Sequence, residues 1–201
     1  TQKIRDLPTS IYLAIIVGLA LLARLFNLTK ASIWHDEGYT ATITNLSPSE
    51  IIQVTINDVH PPFYYLLLHY WQALFGSNVV SLRGFSVTCG IAVVVLMYFL
   101  LRRLFSVNIA RLGALFVAIG PFLVRYSQEA RMYSLATLIV VGATYVLVRA
   151  LLSKSNKSAI AWWLSYGVLI ALGLYTPYFI ALVVPAHLIY AWLTYGGGKV
   201  G

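Results

Sequence analysis

The chain has 201 residues, of which 60% are hydrophobic and 10% are charged, and its formal net charge is +8. Soluble globular chains are roughly 45–50% apolar and about 25% charged. The composition therefore excludes a water-soluble enzyme and a disordered chain, and the single cysteine excludes an internal disulfide scaffold. The positive charge fits the cytoplasmic loops of a membrane protein, so we expect no nucleic-acid partner.

Six apolar runs come close to the length of about 20 residues that crosses a bilayer. They predict an all-α, polytopic membrane protein in which residues 1–201 form one transmembrane domain, since no repeat or long linker divides the chain. We also expect this domain to be truncated at its C-terminal end. The predicted spans lie near 9–28, 82–101, 107–124, 132–151, 160–175 and 178–194.

An outer loop with one or two surface helices is predicted between the first two spans, over residues 29–76. The apolar run 63–75 is too short to cross the membrane and is typical of a helix that lies on its surface. If this run crossed, the basic clusters 102–103 and 154–157 would both move to the outer side, against the positive-inside bias. With the run on the surface, the segment 29–60 and the turn 125–133 both lie on the extracytoplasmic side.

The adjacent acids Asp36 and Glu37 are the first candidate catalytic residues. Neighbouring side chains point in different directions, so the pair alone does not make a two-carboxylate site. A carboxylate at the membrane interface can act as a general base toward a hydroxyl or help to hold a divalent cation. The alternative is a solvated loop whose acids cap a short helix.

Asp58 and His60 are candidate metal ligands because they lie two positions apart, just before two prolines. In an extended segment both side chains would share a face. Imidazole with carboxylate suits Zn or Mn better than Mg, and a divalent metal (Mg, Mn or Zn) is therefore a candidate cofactor. The alternative is that these polar residues only face water at the start of a helix.

The turn 125–133 carries two arginines on the outer side, where the positive-inside rule disfavours them. Arg125 and Glu129 are i,i+4 neighbours that could pair, and the planar guanidinium of Arg125 or Arg131 matches phosphate oxygens. The alternative is an ion pair that closes the turn. Arg83, at the start of the second span, could meet lipid phosphate or the acids of 29–60, and the sequence does not choose.

The sequence has no nucleotide-binding glycine motif, so we expect no soluble nucleotide and a substrate that arrives through the membrane. Ionisable residues cluster at one face instead of mid-membrane, which disfavours a transporter. The remaining alternative to an enzyme is a non-catalytic lipid-binding or scaffold subunit with the same fold.

The ordered motifs of this sequence resemble those of the GT-C glycosyltransferases that use polyprenyl-phosphate sugars. The resemblance is to glycosyltransferase family 39, the dolichyl-phosphate-mannose–protein mannosyltransferase-like group, and to its bacterial relatives that modify lipid A with aminoarabinose. The motifs lie at 34–37 (WHDE), 60–65 (HPPFYY), 81–83 (SLR), 126–133 (YSQEARMY) and 175–179 (YTPYF).

The resemblance implies the N-terminal membrane module of an enzyme that transfers a sugar with inversion at the outer face of the plasma membrane. The donor would be a polyprenyl-phosphate sugar, and the acceptor a hydroxyl of a lipid, a protein or a glycan. The resemblance maps Asp36 to the family's acidic residue in the first outer loop, which acts as base or organises the acceptor. The other expected site residues are Glu37 and His60 in support of Asp36, Arg125 or Arg131 on the phosphate, Glu129 orienting an arginine, and Arg83 and Tyr64 at the substrate.

Overall fold

The computed structural model describes residues 8–56 and 58–196, with side chains as far as Thr194. Within this part of the chain all regular secondary structure is helical. The remaining residues of the predicted domain, 1–7, 57 and 197–201, lie outside the described ranges. The helices are α1 (Thr9–Leu25), α2 (His35–Thr44), α3 (Pro48–Ile56), α4 (Phe63–Phe75), α5 (Val79–Leu104), α6 (Val107–Ile119), α7 (Pro121–Ser127), α8 (Tyr133–Leu151), α9 (Asn156–Leu174) and α10 (Val183–Gly196), with a 3₁₀ helix (Tyr178–Leu182) before α10.

Three of the described helices, α5, α8 and α9, are long and apolar enough to cross a membrane. A fourth span results if α6 and α7, which meet at an angle of 53°, are taken as one broken span. Helix α1 and the segment Tyr178–Thr194 are apolar but shorter. The chain is thus a multi-pass membrane protein, and the expected count of six spans stays a prediction.

One detail of the sequence prediction is refined and another is wrong. The span predicted near 107–124 consists of two helices, because Pro121 has no N–H to bond the carbonyl of Val117 and the chain breaks at Gly120. The segment 29–76 holds three short helices, α2, α3 and α4, instead of one or two. Helix α4 ends at Gly76, whose φ of 82° favours glycine.

Arg24, in the last turn of α1, satisfies the backbone carbonyls that the α6–α7 break exposes. Its Nη1 donates to the carbonyl of Ala118 at 2.7 Å and its Nη2 to that of Val117 at 3.2 Å. Its Nε donates to Ser127 Oγ at 3.2 Å. Gly90 of α5 leaves the room for this contact, since a β-carbon there would collide with Ser127 and Arg24.

Helix α5 is the centre of the bundle and contacts α1, α4, α6, α7 and α8. One core cluster joins the short helices to the bundle, because Tyr64, Tyr65 and Leu68 of α4 pack with Leu82 of α5 and Met132. This cluster fixes α2 and α4 over the point where α1 and α7 end and α5 and α8 begin. The candidate residues of the sequence analysis lie around that point.

Candidate active site

Direct contacts join the acidic helix α2 to the turn between α7 and α8. The backbone N–H of Ala130 donates to Glu37 Oε1 at 2.8 Å. On the neighbouring residue, Arg131 Nη2 lies 3.6 Å from Asp36 Oδ2. The acids near position 36 and the turn that carries the arginines therefore form one site, as the sequence topology predicts.

Arg83 and Glu37 form a buried ion pair beneath this site. Arg83 Nε donates to Glu37 Oε1 at 2.9 Å and Nη2 to Oε2 at 2.7 Å, and both side chains are at most 3% exposed. The other guanidinium hydrogens bond the carbonyls of Leu28, Ala31 and Ser32 at 2.6, 3.1 and 3.2 Å. All five donors of the guanidinium are engaged, so Arg83 has none left for a phosphate.

The Glu37 carboxyl is held as an anion by this environment. Burial by itself raises its pKa, but the hydrogen bonds from Arg83 and from the backbone of Ala130, with the charge of Arg83, outweigh burial and lower it. An ionised, buried and fully paired carboxylate joins α2, α5 and the 128–132 turn. The geometry thus favours an anchoring role for Glu37 over direct contact with substrate.

Asp36, in the first turn of α2, is the exposed acid of the pair. Its side chain is 38% exposed, between Arg131 Nη2 at 3.6 Å from Oδ2 and His35 Nδ1 at 3.5 Å from Oδ1. Arg131 is only 5% exposed and His35 is 94% exposed. The site therefore presents one accessible carboxylate with a buried guanidinium behind it.

His60 contacts the same Arg131 nitrogen as Asp36, and Asp58 lies beside His60. Arg131 Nη2 lies 3.1 Å from His60 Nε2. The two oxygens of Asp58 accept hydrogen bonds from the backbone N–H of His60 at 3.3 Å and from Tyr39 O–H at 2.8 Å. Burial, followed by the charge of Arg131, lowers the pKa of His60.

The positions of His60 and Asp58 do not fit the metal site that the sequence suggests. His60 Nε2 faces the Arg131 guanidinium, and both oxygens of Asp58 have protein partners. Among the described residues there is no group of three or more His, Cys, Asp or Glu side chains that could hold an ion. His60 and Asp58 therefore do not form a ready metal site in this geometry.

The predicted i,i+4 pair of Arg125 and Glu129 is present, with Arg125 Nε donating to Glu129 Oε1 at 2.7 Å. Arg125 is 69% exposed and Glu129 is 10% exposed, so the carboxylate holds an arginine that faces outward. Both residues line a cavity of about 270 Å³ whose wall includes Trp34 and Gln128. An anion that enters this cavity meets the Arg125 guanidinium.

Tyr64 is not on the accessible surface of the site. Its side chain is 2% exposed and packs edge-on against Tyr65, with Phe85 on another side. Burial raises the pKa of both tyrosines. Its place in the core between α4 and α5 makes Tyr64 a packing residue in this geometry.

Tyr39 and Gln128 are site residues that the sequence analysis missed. Tyr39 follows Asp36 by three positions, a spacing that puts both on one face of α2, but its bond to Asp58 depends on the fold. Gln128 donates from Nε2 to the carbonyls of Arg24 and Phe26 at 3.0 and 2.8 Å. It thereby ties the end of α1 to the turn that carries Arg125.

Comparison with known families matches residues 59–199 to the family described as dolichyl-phosphate-mannose-protein mannosyltransferase. The chain belongs to this family. The resemblance seen in the motifs is thereby confirmed, and the family is one of glycosyltransferases with membrane helices. The matched range includes His60, Arg83, Arg125 and Arg131, whereas Asp36 precedes it.

A curated relative of this mannosyltransferase family is the Bacillus subtilis (strain 168) protein named "Putative mannosyltransferase YkcB". It is 25% identical over 193 residues, which cover 89% of this chain and 26% of the relative. The chain thus spans about a quarter of the length of the curated relative that it matches.

Proposed function

We propose that this chain forms the outer-face active-site module of an inverting glycosyltransferase. The enzyme moves a sugar from a polyprenyl-phosphate donor, of the mannosyl type that the family name indicates, to an acceptor hydroxyl of a lipid, a protein or a glycan. The observation that carries the proposal is that an accessible carboxylate, Asp36, and an outward-facing arginine, Arg125, belong to two segments that touch at one end of an apolar bundle.

Asp36 serves as the general base in this proposal. As the acceptor oxygen attacks the anomeric carbon, its proton passes to Asp36 Oδ, and the bond from that carbon to the phosphate oxygen breaks on the opposite side of the sugar. Attack opposite to the leaving group inverts the anomeric configuration. A positioned base of this kind contributes on the order of 10²–10⁴ in rate.

Arg125 stabilises the leaving group. The departing polyprenyl phosphate gains negative charge in the transition state, and a guanidinium aimed at that charge lowers the barrier. Glu129 holds Arg125 through Nε, which leaves the terminal nitrogens to meet phosphate oxygens. Glu37 and Arg83 act beneath these residues by fixing α2 to the turn.

An apolar groove next to the site fits the lipid part of the donor. It has a volume of about 410 Å³ and lies between α8 and the segment 179–183, with Tyr126 and Tyr133 at the end near Arg125. A polyprenyl chain placed there stays among apolar side chains while its phosphate reaches the aqueous boundary. The groove supports a donor that is delivered from the bilayer.

The same proposal includes the finer topology: six spans, one domain over residues 1–201, and an active face on the extracytoplasmic side of the plasma membrane. Its support is the charge bias of the sequence and the grouping of the acids at one end of the bundle.

The test is Asp36→Asn in the full-length protein, assayed for sugar transfer from a radiolabelled polyprenyl-phosphate donor. We expect transfer to fall by 10²–10⁴-fold, on the order of a base contribution, while membrane insertion and donor binding persist. Glu50→Gln is the matched control, because Glu50 is an exposed acid that caps α3 through Ser47. Transfer within a few-fold of wild type in Asp36→Asn would refute the base, and absence of transfer by the wild-type protein would favour a non-catalytic lipid-binding or scaffold subunit.

A further inference from the structure

The residues around Arg131 form a continuous chain of contacts that begins and ends on α2. Tyr39 O–H bonds Asp58 Oδ2 at 2.8 Å, and Asp58 Oδ1 accepts the backbone N–H of His60 at 3.3 Å. His60 Nε2 then meets Arg131 Nη2 at 3.1 Å, and the same Nη2 lies 3.6 Å from Asp36 Oδ2. This chain connects the loop before α4 to the carboxylate that we propose as the base.

The protonation state of the imidazole follows from its partner. A guanidinium has only donors, so a ring nitrogen 3.1 Å from Arg131 Nη2 must accept the hydrogen bond. His60 Nε2 is therefore unprotonated, and the neutral ring carries its hydrogen on Nδ1. A metal ion on Nε2 would have to displace Arg131 and would sit beside its positive charge.

Arg131 has few other anchors among the described residues. Its Nε is buried without a hydrogen-bond partner. Its Nη1 makes a long contact of 3.5 Å with the backbone carbonyl of Asp36. The shortest polar contact of the guanidinium is therefore the one with His60, and removal of that acceptor frees the group to turn away from Asp36.

We infer that His60 is a positioning residue, which holds the Arg131 guanidinium against Asp36 by accepting a hydrogen bond at Nε2, and is not a metal ligand. Asp58 and Tyr39 fix the loop that carries His60. Arg131 thereby keeps the Asp36 carboxylate oriented toward the acceptor hydroxyl. The catalytic consequence of this assignment rests on the proposed function, whereas the hydrogen bond between His60 and Arg131 does not.

Two substitutions in the full-length protein separate acceptance of a hydrogen bond from metal binding. His60→Leu removes the hydrogen-bond acceptor. We expect kcat to fall by about 10- to 100-fold, because a catalytic group that is misplaced by about 1 Å loses about that much. The KM for the lipid donor should stay within about 3-fold of wild type. His60→Gln keeps an oxygen that can accept from Arg131, and we expect kcat within about 3-fold of wild type. His69→Leu is the control, because the His69 ring contacts the backbone carbonyl of Thr44 instead of Arg131 or Asp36.

A third arm shows whether His60 acts through Asp36. Added to Asp36→Asn, the substitution His60→Leu should lower kcat no further, because the group that it positions is already lost. If Asp36→Asn has little effect while His60→Leu still lowers kcat, the proposed base is wrong and His60 acts on some other group. A further loss in the double variant would contradict the assignment of His60 alone.

The fourth arm does not depend on activity. In ¹⁵N spectra of histidine-labelled protein, the difference between wild type and His60→Gln isolates the His60 signals. We expect a neutral ring with unprotonated Nε2, unchanged by a chelator and by added Zn²⁺ or Mn²⁺. A signal that shifts with either ion, a protonated Nε2, or a His60→Gln variant as slow as His60→Leu would overturn the positioning role.

Discussion

The buried pair of Arg83 and Glu37 yields the most direct test of how the site is held together. In Arg83→Gln, the Glu37 carboxylate loses both side-chain hydrogen bonds and keeps that of the Ala130 N–H. Both partners are at most 3% exposed, so solvent replaces little of the loss. Removal of one partner of a buried ion pair lowers the free energy of unfolding by about 3–5 kcal/mol.

A loss of that size corresponds to a fall in Tm of about 6–20 °C for a chain of this length. The only cysteine, Cys89, is buried in α5, so a thiol-reactive fluorogenic dye reports unfolding of the detergent-solubilised chain on heating. Arg103→Gln is the matched control, because Arg103 is an exposed arginine of the same helix. A Tm for Arg83→Gln within 2 °C of the control would refute the anchoring role.

Lowering the pH should narrow the difference in Tm between wild type and Arg83→Gln. The pKa of Glu37 is lowered in the folded protein. The stabilisation that the ionised Glu37 provides is therefore complete above the ordinary pKa of 4.5, and it is lost as the pH falls through the folded pKa. In the variant, burial without the arginine raises that pKa, and protonation then stabilises the fold. A Tm difference that stays constant from pH 7 to pH 4 would contradict this account.

The double variant Arg83→Met with Glu37→Leu measures the coupling of the pair. Because it removes both charges together, we expect its loss of Tm to be smaller than the sum of the losses in the two single variants. Additive losses would mean that the two side chains act separately.

Two further predictions concern the bundle and its orientation. Gly90→Ala should destabilise the chain by about 1–3 kcal/mol, because the new β-carbon collides with Ser127 and Arg24. Gly18→Ala in α1 is the control, because its β-carbon meets open space and the change should be neutral or slightly stabilising. The same dye assay measures the Tm of both variants. An exposed cysteine in Ser49→Cys should react with an impermeant reagent from outside the cell and one in Ser155→Cys should not, and the reverse pattern would overturn the proposed topology. Ser127 is unsuitable for this labelling because it is buried.

Local features of the sequence predict the helical class and the short helix at 63–75, whose bounds the structure reproduces. The Arg125–Glu129 pair was also readable, because i,i+4 spacing needs only the local backbone. The break at Gly120 was missed since the run stays apolar on both sides of Pro121. Helix α2 was not resolved as a separate helix because its polar composition carries no clear apolar periodicity.

The site depended on tertiary contacts that spacing does not encode. Glu37 and Arg83 are 46 positions apart, and the sequence left open whether Arg83 meets lipid phosphate or an acid. For the same reason the contact of His60 with Arg131, which spans 71 positions, could not be predicted from spacing. The predicted topology places the acidic and basic segments on one face, but only the three-dimensional structure shows which side chains pair.

The dependence of Arg24 on a distant carbonyl has a consequence for biogenesis. Its acceptor on Ala118 is 94 positions further along the chain, and at a synthesis rate of about 5–20 residues per second the ribosome needs roughly 5–20 s to produce it. During that interval the cation at the end of the first apolar segment has no such acceptor and is costly to leave in hydrocarbon. We therefore expect Arg24 to stay at the aqueous boundary, bonded only within its own helix as to the carbonyl of Ala20, until the kinked helix emerges.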